Sequence, residues 1–339
     1  KSEYAAEWKK AEEVELSTLK VHGTFKFVPK GQHQRHKLRT RFVYAVKHDA
    51  DGMVTKFKAR LVVLGYGQIW GQEYKETFAP TAHEGTIKFG IAMSAKTKMK
   101  RKIWDYMGAY LHGKMDKEIY LHNIEGLDVP VGCDVLCYKS LYGTKQAGHI
   151  WNKEWTKSMK KLGFRQSKYD PWLLIKESAE GVCYAIAWVD DVILIYNYPD
   201  EKMKDLEQEV KDLGFILSNS SNLEYYLGIK VEFEGEKVKL SQREYLEAIL
   251  HRFGLANSKA AKSPMNNADI PSKTDCPNLE TELGKAERER LKSFKYRNAI
   301  GSLQHAARWT RPDIKFAVGY LARYQENFGE KHVKAVKRV

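Results

Sequence analysis

The chain has 339 residues, 43% of them hydrophobic and 12% aromatic, which is enough for a folded protein with a sizeable core and excludes disorder as the default. A formal net charge of +14 favours a polyanionic partner, with nucleic acid first. Four irregularly spaced cysteines exclude a disulfide framework, and no run reaches the roughly 18 apolar residues that span a bilayer, so no membrane partner is expected.

The first part of the chain carries helix and hairpin signals. Residues 4–20 have apolar side chains at helical spacing, which predicts an amphipathic helix. Two runs rich in Val, Phe and Tyr (41–49 and 54–66) flank Asp-Ala-Asp-Gly, a sequence typical of a hairpin turn. The second run is basic, and strand alternation places Lys56, Lys58 and Arg60 on one face. A helix over 85–98 and a short strand over 102–110 follow.

The second part mixes the same signals. A helix that follows LYGTKQAG carries Trp151 and Trp155 one turn apart, and we interpret both as core residues. Further helices are predicted over 201–215 and 242–254, with a hairpin between them that turns at Glu234-Gly235. The polar segment 263–284 is punctuated by prolines and predicts a linker, and the chain is helical and basic from about residue 285. Local hairpins in place of a regular βαβ order argue against a doubly wound nucleotide-binding fold.

Three aspartates follow apolar strands. Asp190 and Asp191 stand between two apolar runs, and because adjacent strand residues point to opposite faces, both carboxylates converge only at a turn. Burying two like charges is costly unless a cation such as Mg²⁺ or Mn²⁺ neutralises them. A solvated Asp-Asp turn is the alternative. Asp105, at the end of another apolar strand, favours the metal site, because three carboxylates on two strand ends suit two-metal phosphoryl transfer.

Eight segments, in one order along nearly the whole chain, resemble the reverse transcriptases of copia-type (Pseudoviridae-like) LTR retrotransposons. They are the opening helix with Trp8, KHDADGMVTKFKARLVVLGYGQ, GQEYKETFAP, WDYMGAYLHGKMDKEIYL, KSLYGTKQAGHIW, WVDDVILI, YYLGIKVEF followed by LSQREYL, and the last segment from YRNAIGSLQHAARWTRPDIKFAVGYLARYQENFGEKHVKAVKRV.

The resemblance implies an α+β, right-hand polymerase whose antiparallel palm sheet carries the catalytic aspartates. Its division would be an N-terminal helix and fingers, with part of the palm, over 1–100. A palm over 101–240, with a fingers insertion around 117–165, would follow, and then a helical thumb or connection-like region over 241–339.

The resemblance also implies a role for each candidate residue. Asp105, Asp190 and Asp191 would be catalytic and would hold two ions, Mg²⁺ or Mn²⁺. Lys58 and Arg60 would bind the dNTP triphosphate, Tyr110 would lie under the sugar, and Gln146 would lie near the nucleotide's 3′ side. The nucleic-acid contacts would come from a primer grip and from the last helices, through Tyr226, Leu227, Gly228, Arg311 and Lys334.

The implied function is an RNA-directed and DNA-directed DNA polymerase that extends a DNA or RNA primer on its template, in a cytoplasmic retrotransposon particle or in the nucleus. A homodimer is left open, and no RNase H-like set of acidic residues is expected in this chain. Trp188, Thr144 and His149 depart from the family's usual residues. These departures keep open the alternative of a catalytically weak or domesticated nucleic-acid-binding protein that retains the fold.

Overall fold

The computed structural model describes residues 3–31, 36–48, 53–266 and 269–339. The fold is mixed helix and sheet, and the chain divides into two compact units. Unit 1 comprises residues 1–90 and 99–222, and unit 2 comprises residues 91–98 and 223–339. The predicted division into fingers, palm and thumb stays a prediction. No helix in the described ranges is long and apolar enough to cross a membrane.

The helices and strands up to residue 222 are, in chain order, α1 (Ala5–Val21), β1 (Phe25–Pro29), β2 (Lys37–Leu38), β3 (Thr40–His48), β4 (Val54–Val63), α2 (Glu84–Lys96), β5 (Lys100–Tyr106), β6 (Lys114–Leu121), β7 (Cys133–Lys139), α3 (Ala147–Lys161), β8 (Arg165–Gln166), β9 (Leu173–Ser178), β10 (Gly181–Trp188), β11 (Asp191–Tyr196), α4 (Asp200–Asp212) and β12 (Leu217–Ser221). The helices predicted over 4–20, 85–98 and 201–215 are thus confirmed within a few residues.

Unit 1 is built on a six-stranded antiparallel sheet with the order β12-β5-β11-β10-β9-β8. Its central strand β11 is buried from Val192 to Tyr196, as its uninterrupted apolar sequence requires. A Cβ at Gly90 would lie 2.6 Å from Ile186 Cδ1, so glycine lets α2 approach β10 closely. On α3, Trp151 and Trp155 are fully buried, which confirms the core interpretation of both.

A second core in unit 1 joins α1 to the two smaller sheets. Strands β1, β7, β6 and β2 form a four-stranded sheet, and β3 pairs with β4 as the predicted hairpin. The turn expected at Asp49–Gly52 lies outside the described residues. Leu16 and Leu19 of α1 pack in one cluster with Leu61 of β4, and the Trp8 ring meets the Phe57 ring edge-on with centroids 4.6 Å apart. The N-terminal helix is therefore seated on the basic strand β4.

Unit 2 has a small sheet followed by helices. Its elements from residue 223 are β13 (Tyr225–Tyr226), β14 (Ile229–Glu234), β15 (Lys237–Ser241), α5 (Arg243–Arg252), α6 (Glu282–Leu291), α7 (Tyr296–Trp309), α8 (Lys315–Leu321) and α9 (Glu330–Arg338). Strands β13, β14 and β15 form one antiparallel sheet, and an apolar cluster that includes Ile300, Leu321 and Val333 packs the later helices.

The linker prediction for 263–284 is wrong. Both of its ends lie inside unit 2, and its middle is bonded to the helical region. The Tyr320 hydroxyl donates to the Pro271 carbonyl at 2.8 Å, and the Asn327 amide donates to the Pro277 carbonyl at 3.0 Å. A segment rich in proline and polar residues looks like a spacer in sequence, but here other elements satisfy its backbone carbonyls.

Candidate active site

The three predicted carboxylates come together at one end of the six-stranded sheet. Asp105, near the end of β5, pairs directly with Asp191, the first residue of β11. Directly opposed residues on antiparallel strands project from the same face, with Cβ atoms about 4.5–5.5 Å apart. Asp190 lies in the two-residue turn that joins β10 to β11, between the paired residues Trp188 and Asp191. The sheet thus supplies two of the aspartates, and its hairpin turn supplies the third.

Two hydrogen bonds join the end of β5 to its neighbours, one to the hairpin and one to β12. The backbone N–H of Tyr106 donates to the carbonyl of Asp190 at 3.0 Å, which ties the turn to the residue after Asp105. The Ser218 hydroxyl donates to Oδ2 of Asp105 at 2.5 Å. Ser218 lies on β12, the other neighbour of β5, and no motif in the sequence pointed to it.

The electrostatics are those of crowded, half-buried like charges. Burial raises the pKa of Asp190, and the negative charge of Asp105 raises it further. Burial, together with the charges of Asp190 and Asp105, raises the pKa of Asp191 to about 6. Arg60 and Lys58 act in the opposite direction on Asp190. Such a cluster favours a neutralising cation, and oxygen donors suit a hard divalent ion.

The side chains nevertheless do not form a closed ligand cage. Among the described residues, no group of three or more His, Cys, Asp and Glu side chains converges closely enough to hold an ion. One oxygen of Asp105 is engaged by Ser218. The donor chemistry of the three aspartates still fits a divalent metal, because carboxylate oxygens are the ligands that such ions prefer.

The basic strand β4 carries the predicted triphosphate ligands. Burial and the neighbouring charges of Arg60 and Lys47 lower the pKa of Lys58, and the charges of Glu15 and then Asp105 partly offset this. The Arg60 guanidinium lies 5.0 Å from the centroid of the Tyr142 ring. A cavity of about 480 Å³ lies between α1, β4 and the loop after Asp105, and its walls include Lys58, Arg60, Gly108 and Tyr142. The structure therefore brings Lys58 and Arg60 within electrostatic range of the aspartates.

Tyr110 lies in the short 3₁₀ turn that follows Asp105. The turn starts at Gly108, whose φ of +61° is left-handed, a conformation that glycine adopts without strain. The Tyr110 ring meets the Tyr142 ring edge-on with centroids 4.9 Å apart. Its pKa is raised, first by burial and then by the charge of Asp190. Tyr110 is thus half-buried beside the carboxylates, on the same side as Arg60.

Gln146 is buried and hydrogen-bonded to other residues of unit 1. It is fully buried immediately before α3, and its amide oxygen accepts from the Gln68 amide at 3.0 Å. Its own amide donates to the Glu73 carbonyl at 2.8 Å. The predicted nucleotide contact, which stays a prediction, would require Gln146 to give up these partners.

Two of the three departures from the family pattern are also hydrogen-bonded within unit 1. The Thr144 hydroxyl donates to the Leu141 carbonyl at 2.8 Å, and His149 Nδ1 lies 2.7 Å from the Phe78 carbonyl.

The other predicted contacts lie in unit 2. Tyr226 and Ile229 close a two-residue turn in which Leu227 and Gly228 both have positive φ, 51° and 76°. Such a turn favours glycine, so Leu227 is strained. Arg311 forms a bidentate pair with Asp313, at 2.9 Å from Nε and 2.7 Å from Nη2. Lys334 Nζ lies 3.6 Å from Glu330. The roles of these residues toward nucleic acid stay predictions.

Comparison with known proteins identifies the family. A family model described as reverse transcriptase (RNA-dependent DNA polymerase) matches residues 22–267. The retrovirus-related Pol polyprotein from transposon TNT 1-94 of Nicotiana tabacum is 33% identical over 97% of this chain and 24% of its own length. The corresponding polyprotein from transposon RE1 of Arabidopsis thaliana is 28% identical over 98% of this chain and 22% of its own length. A putative transposon Ty5-1 protein of Saccharomyces cerevisiae is 24% identical over 68% of this chain and 72% of its own length.

The chain spans about a quarter of the length of the two Pol polyproteins. The family match covers well over half of the chain, and the two plant polyproteins match it almost from end to end. The chain therefore belongs to the reverse transcriptase (RNA-dependent DNA polymerase) family, in its copia-type retrotransposon branch.

Proposed function

We propose that this chain extends a primer with dNTPs on RNA and DNA templates. The observation that carries the proposal is the pairing of Asp105 with Asp191 on adjacent strands, with Asp190 in the connecting turn. Lys58 and Arg60 provide opposing charge next to these carboxylates. This combination of clustered acids and adjacent bases is the arrangement that phosphoryl transfer requires.

Enzymes of the reverse transcriptase family generally use divalent metal ions, and Asp105, Asp190 and Asp191 would hold them here. When bound, the ions would lower the pKa of the primer 3′-hydroxyl and stabilise the charge on the leaving pyrophosphate. The raised pKa values of Asp190 and Asp191 support this assignment, because burial first and the neighbouring carboxylates second disfavour the charged forms, and a bound divalent cation would offset both effects.

The chain's own cations and aromatics would position the nucleotide. The fork of Arg60 matches two phosphate oxygens, and Lys58 adds a point charge beside it. Tyr110 would bound the sugar from the side of Asp190. Base pairing with the template, and not the protein, would then select the base.

Primer extension with two aspartate variants tests the proposal. We expect Asp105→Asn and Asp190→Asn each to abolish extension on a homopolymer template in Mg²⁺ and in Mn²⁺, because each removes a charged ligand. Melting temperature and primer–template affinity should stay close to the parent values, since phosphate contacts dominate binding. Asp128→Asn is the matched control, because Asp128 is an exposed aspartate paired only at the surface with Lys20, at 3.5 Å. Full extension by either site variant in Mg²⁺ would rule out the assignment.

The rival function is nucleic-acid binding without turnover. One observation favours it: the Ser218 hydroxyl donates to Oδ2 of Asp105 and so engages an oxygen that a metal ion would need. A parent protein that binds primer–template tightly and extends nothing in either metal would establish the rival.

A further inference from the structure

The turn that carries Asp190 is strained. Val189, its first central residue, has a φ of +58°. This left-handed region is unfavourable for a β-branched residue, and hairpin turns with positive φ at this position usually have glycine there. Strain of this kind persists only where surrounding contacts hold it.

Two hydrogen bonds hold the turn, one at each central carbonyl. The Asp190 carbonyl accepts from the Tyr106 backbone at 3.0 Å. The Val189 carbonyl accepts from the indole Nε1–H of Trp151 at 2.7 Å. Trp151 is fully buried, and its ring packs edge-on against Tyr106 and Phe215, with centroids 5.6 and 5.8 Å away. The indole is therefore fixed in place before it donates to the turn.

We propose that Trp151 is a positioning residue for the catalytic hairpin. Its N–H fixes the peptide plane that follows Val189, and the direction of that plane sets where the Asp190 and Asp191 side chains point. The inference rests on the proposed polymerase function, because it assigns to Trp151 the orientation of that function's metal ligands. It also assigns a role beyond packing to one of the two α3 tryptophans.

Trp155 provides the matched comparison. It lies one turn further along α3, is also fully buried, and stacks on Trp172 with centroids 5.2 Å apart. Within the described chain no hydrogen bond joins Trp155 to the Trp188–Asp191 turn. Replacing either tryptophan by phenylalanine should therefore cost comparable packing, while only the change at Trp151 removes a bond to the turn.

The first test compares W151F and W155F in primer extension. For W151F we expect kcat to fall about 10- to 100-fold, the loss that a small misplacement of reacting groups produces, while KM for dNTP and primer–template affinity change little. W155F should lose melting temperature through packing alone, no more than W151F loses, and keep kcat within about twofold of the parent. Equal kcat losses in the two variants would show that Trp151 contributes only packing and would overturn the proposal.

A second readout does not depend on turnover. Mn²⁺ binding to the free protein, followed by electron paramagnetic resonance, should weaken several-fold in W151F and stay unchanged in W155F. Because glycine adopts a positive φ without strain, adding Val189→Gly to W151F should restore part of the lost Mn²⁺ affinity. Additive effects of the two changes would contradict the proposal.

A third variant covers the case in which W151F fails to fold. Amber suppression can insert 3-benzothienylalanine at position 151, which keeps the bicyclic shape and replaces the N–H with a sulfur atom that cannot donate a hydrogen bond. It should reproduce the fall in kcat at an unchanged melting temperature, and parental kcat would overturn the proposal. The two hypotheses also fail differently. A parent that extends no primer defeats the polymerase function, whereas an active parent whose Trp151 variants are equally active defeats only the positioning role.

Discussion

At the scale of single residues, Tyr110 has two interpretations that one substitution separates. Its ring lies against Tyr142 and close enough to Asp190 for that charge to raise its pKa. The Ser140 hydroxyl donates to its backbone carbonyl at 2.8 Å, which fixes the 3₁₀ turn. In one interpretation the ring borders the sugar of the incoming nucleotide and excludes a 2′-hydroxyl. In the other it is a packing residue of the fold.

We expect Tyr110→Val to raise ribonucleotide use sharply while lowering dNTP use only modestly, because the smaller side chain makes room for the 2′-hydroxyl. Discrimination of several orders of magnitude corresponds to about 1.4 kcal/mol per factor of ten. The measurement is the ratio of kcat/KM for dNTP over rNTP, together with the melting temperature. Tyr110→Phe keeps the ring and serves as the control, with an unchanged ratio. If Tyr110 only packs, Val leaves a cavity that costs about 3 kcal/mol and both substrates suffer alike.

At the residue scale, the meeting of the three aspartates at one end of the sheet could be predicted because they stand at the ends of apolar strands, a pattern that is local in sequence, while their role as metal ligands stays a prediction. Ser218 could not be predicted, since its bond to Asp105 depends on β12 pairing with β5 across more than a hundred residues. The hydrogen bonds of Gln146 could not be predicted either, because its partners Gln68 and Glu73 lie in a loop far away in sequence. Sequence patterns indicate strand ends, whereas side-chain partners depend on the tertiary fold.

At the scale of elements, α1 is bonded to β4 through one half-buried carboxylate. Glu15 Oε1 accepts from the Leu61 backbone N–H at 3.0 Å. Burial raises the pKa of Glu15, and the Leu61 hydrogen bond and the charges of Lys58 and Arg60 partly offset this. The folded protein therefore holds the Glu15 proton at a pH where the unfolded chain has lost it. Stability from this group falls as pH rises from about 4.5 through the higher folded pKa.

Glu15→Gln should remove that trend, because its amide oxygen can still accept from Leu61 and nothing at position 15 titrates. We expect the melting temperature of Glu15→Gln relative to the parent to increase from pH 4 to pH 8. Glu13→Gln removes an exposed carboxylate from the same helix and controls for the loss of one charge. If the melting temperature of Glu15→Gln relative to the parent instead decreased as pH rises, the attraction of the Glu15 carboxylate to Lys58 and Arg60 would outweigh the cost of burying it.

Most helices and hairpins could be predicted, because their periodicity survives in the sequence of each element. Strand β11 and helix α4 are examples, the first uninterrupted and apolar, the second amphipathic. The segment 263–284 was misinterpreted for the opposite reason. Individual hydrogen bonds, such as the one from Tyr320 to the Pro271 carbonyl, hold this segment in place, and they cannot be predicted from composition.

At the scale of the whole molecule, the net charge of +14 does not show that some surface bases already form ion pairs with acidic side chains. Arg311 is clamped by Asp313 in a bidentate pair, and Lys334 lies near Glu330. A phosphate must compete with these acids before either base can contact it. Exposed pairs are weak, worth about 0–1 kcal/mol, so the competition is readily won for Lys334 but is stronger against the bidentate geometry at Arg311.

The competition makes the effect of salt on duplex binding a test of which bases track the phosphate backbone. If the parent neutralises several phosphates, log affinity should fall linearly with log salt, with a slope of about −0.9 per contact. Lys334→Gln should then flatten the slope by about one contact without changing template preference.

Arg311→Gln should flatten the slope less, because the Arg311 guanidinium is already paired with Asp313. Asp313→Asn should steepen it and tighten binding, because it frees Arg311 for a phosphate. The measurement is primer–template affinity by fluorescence anisotropy at four or more salt concentrations. A parent slope near zero would rule out a phosphate-tracking surface altogether, and an Asp313→Asn slope equal to the parent's would place Arg311 away from it.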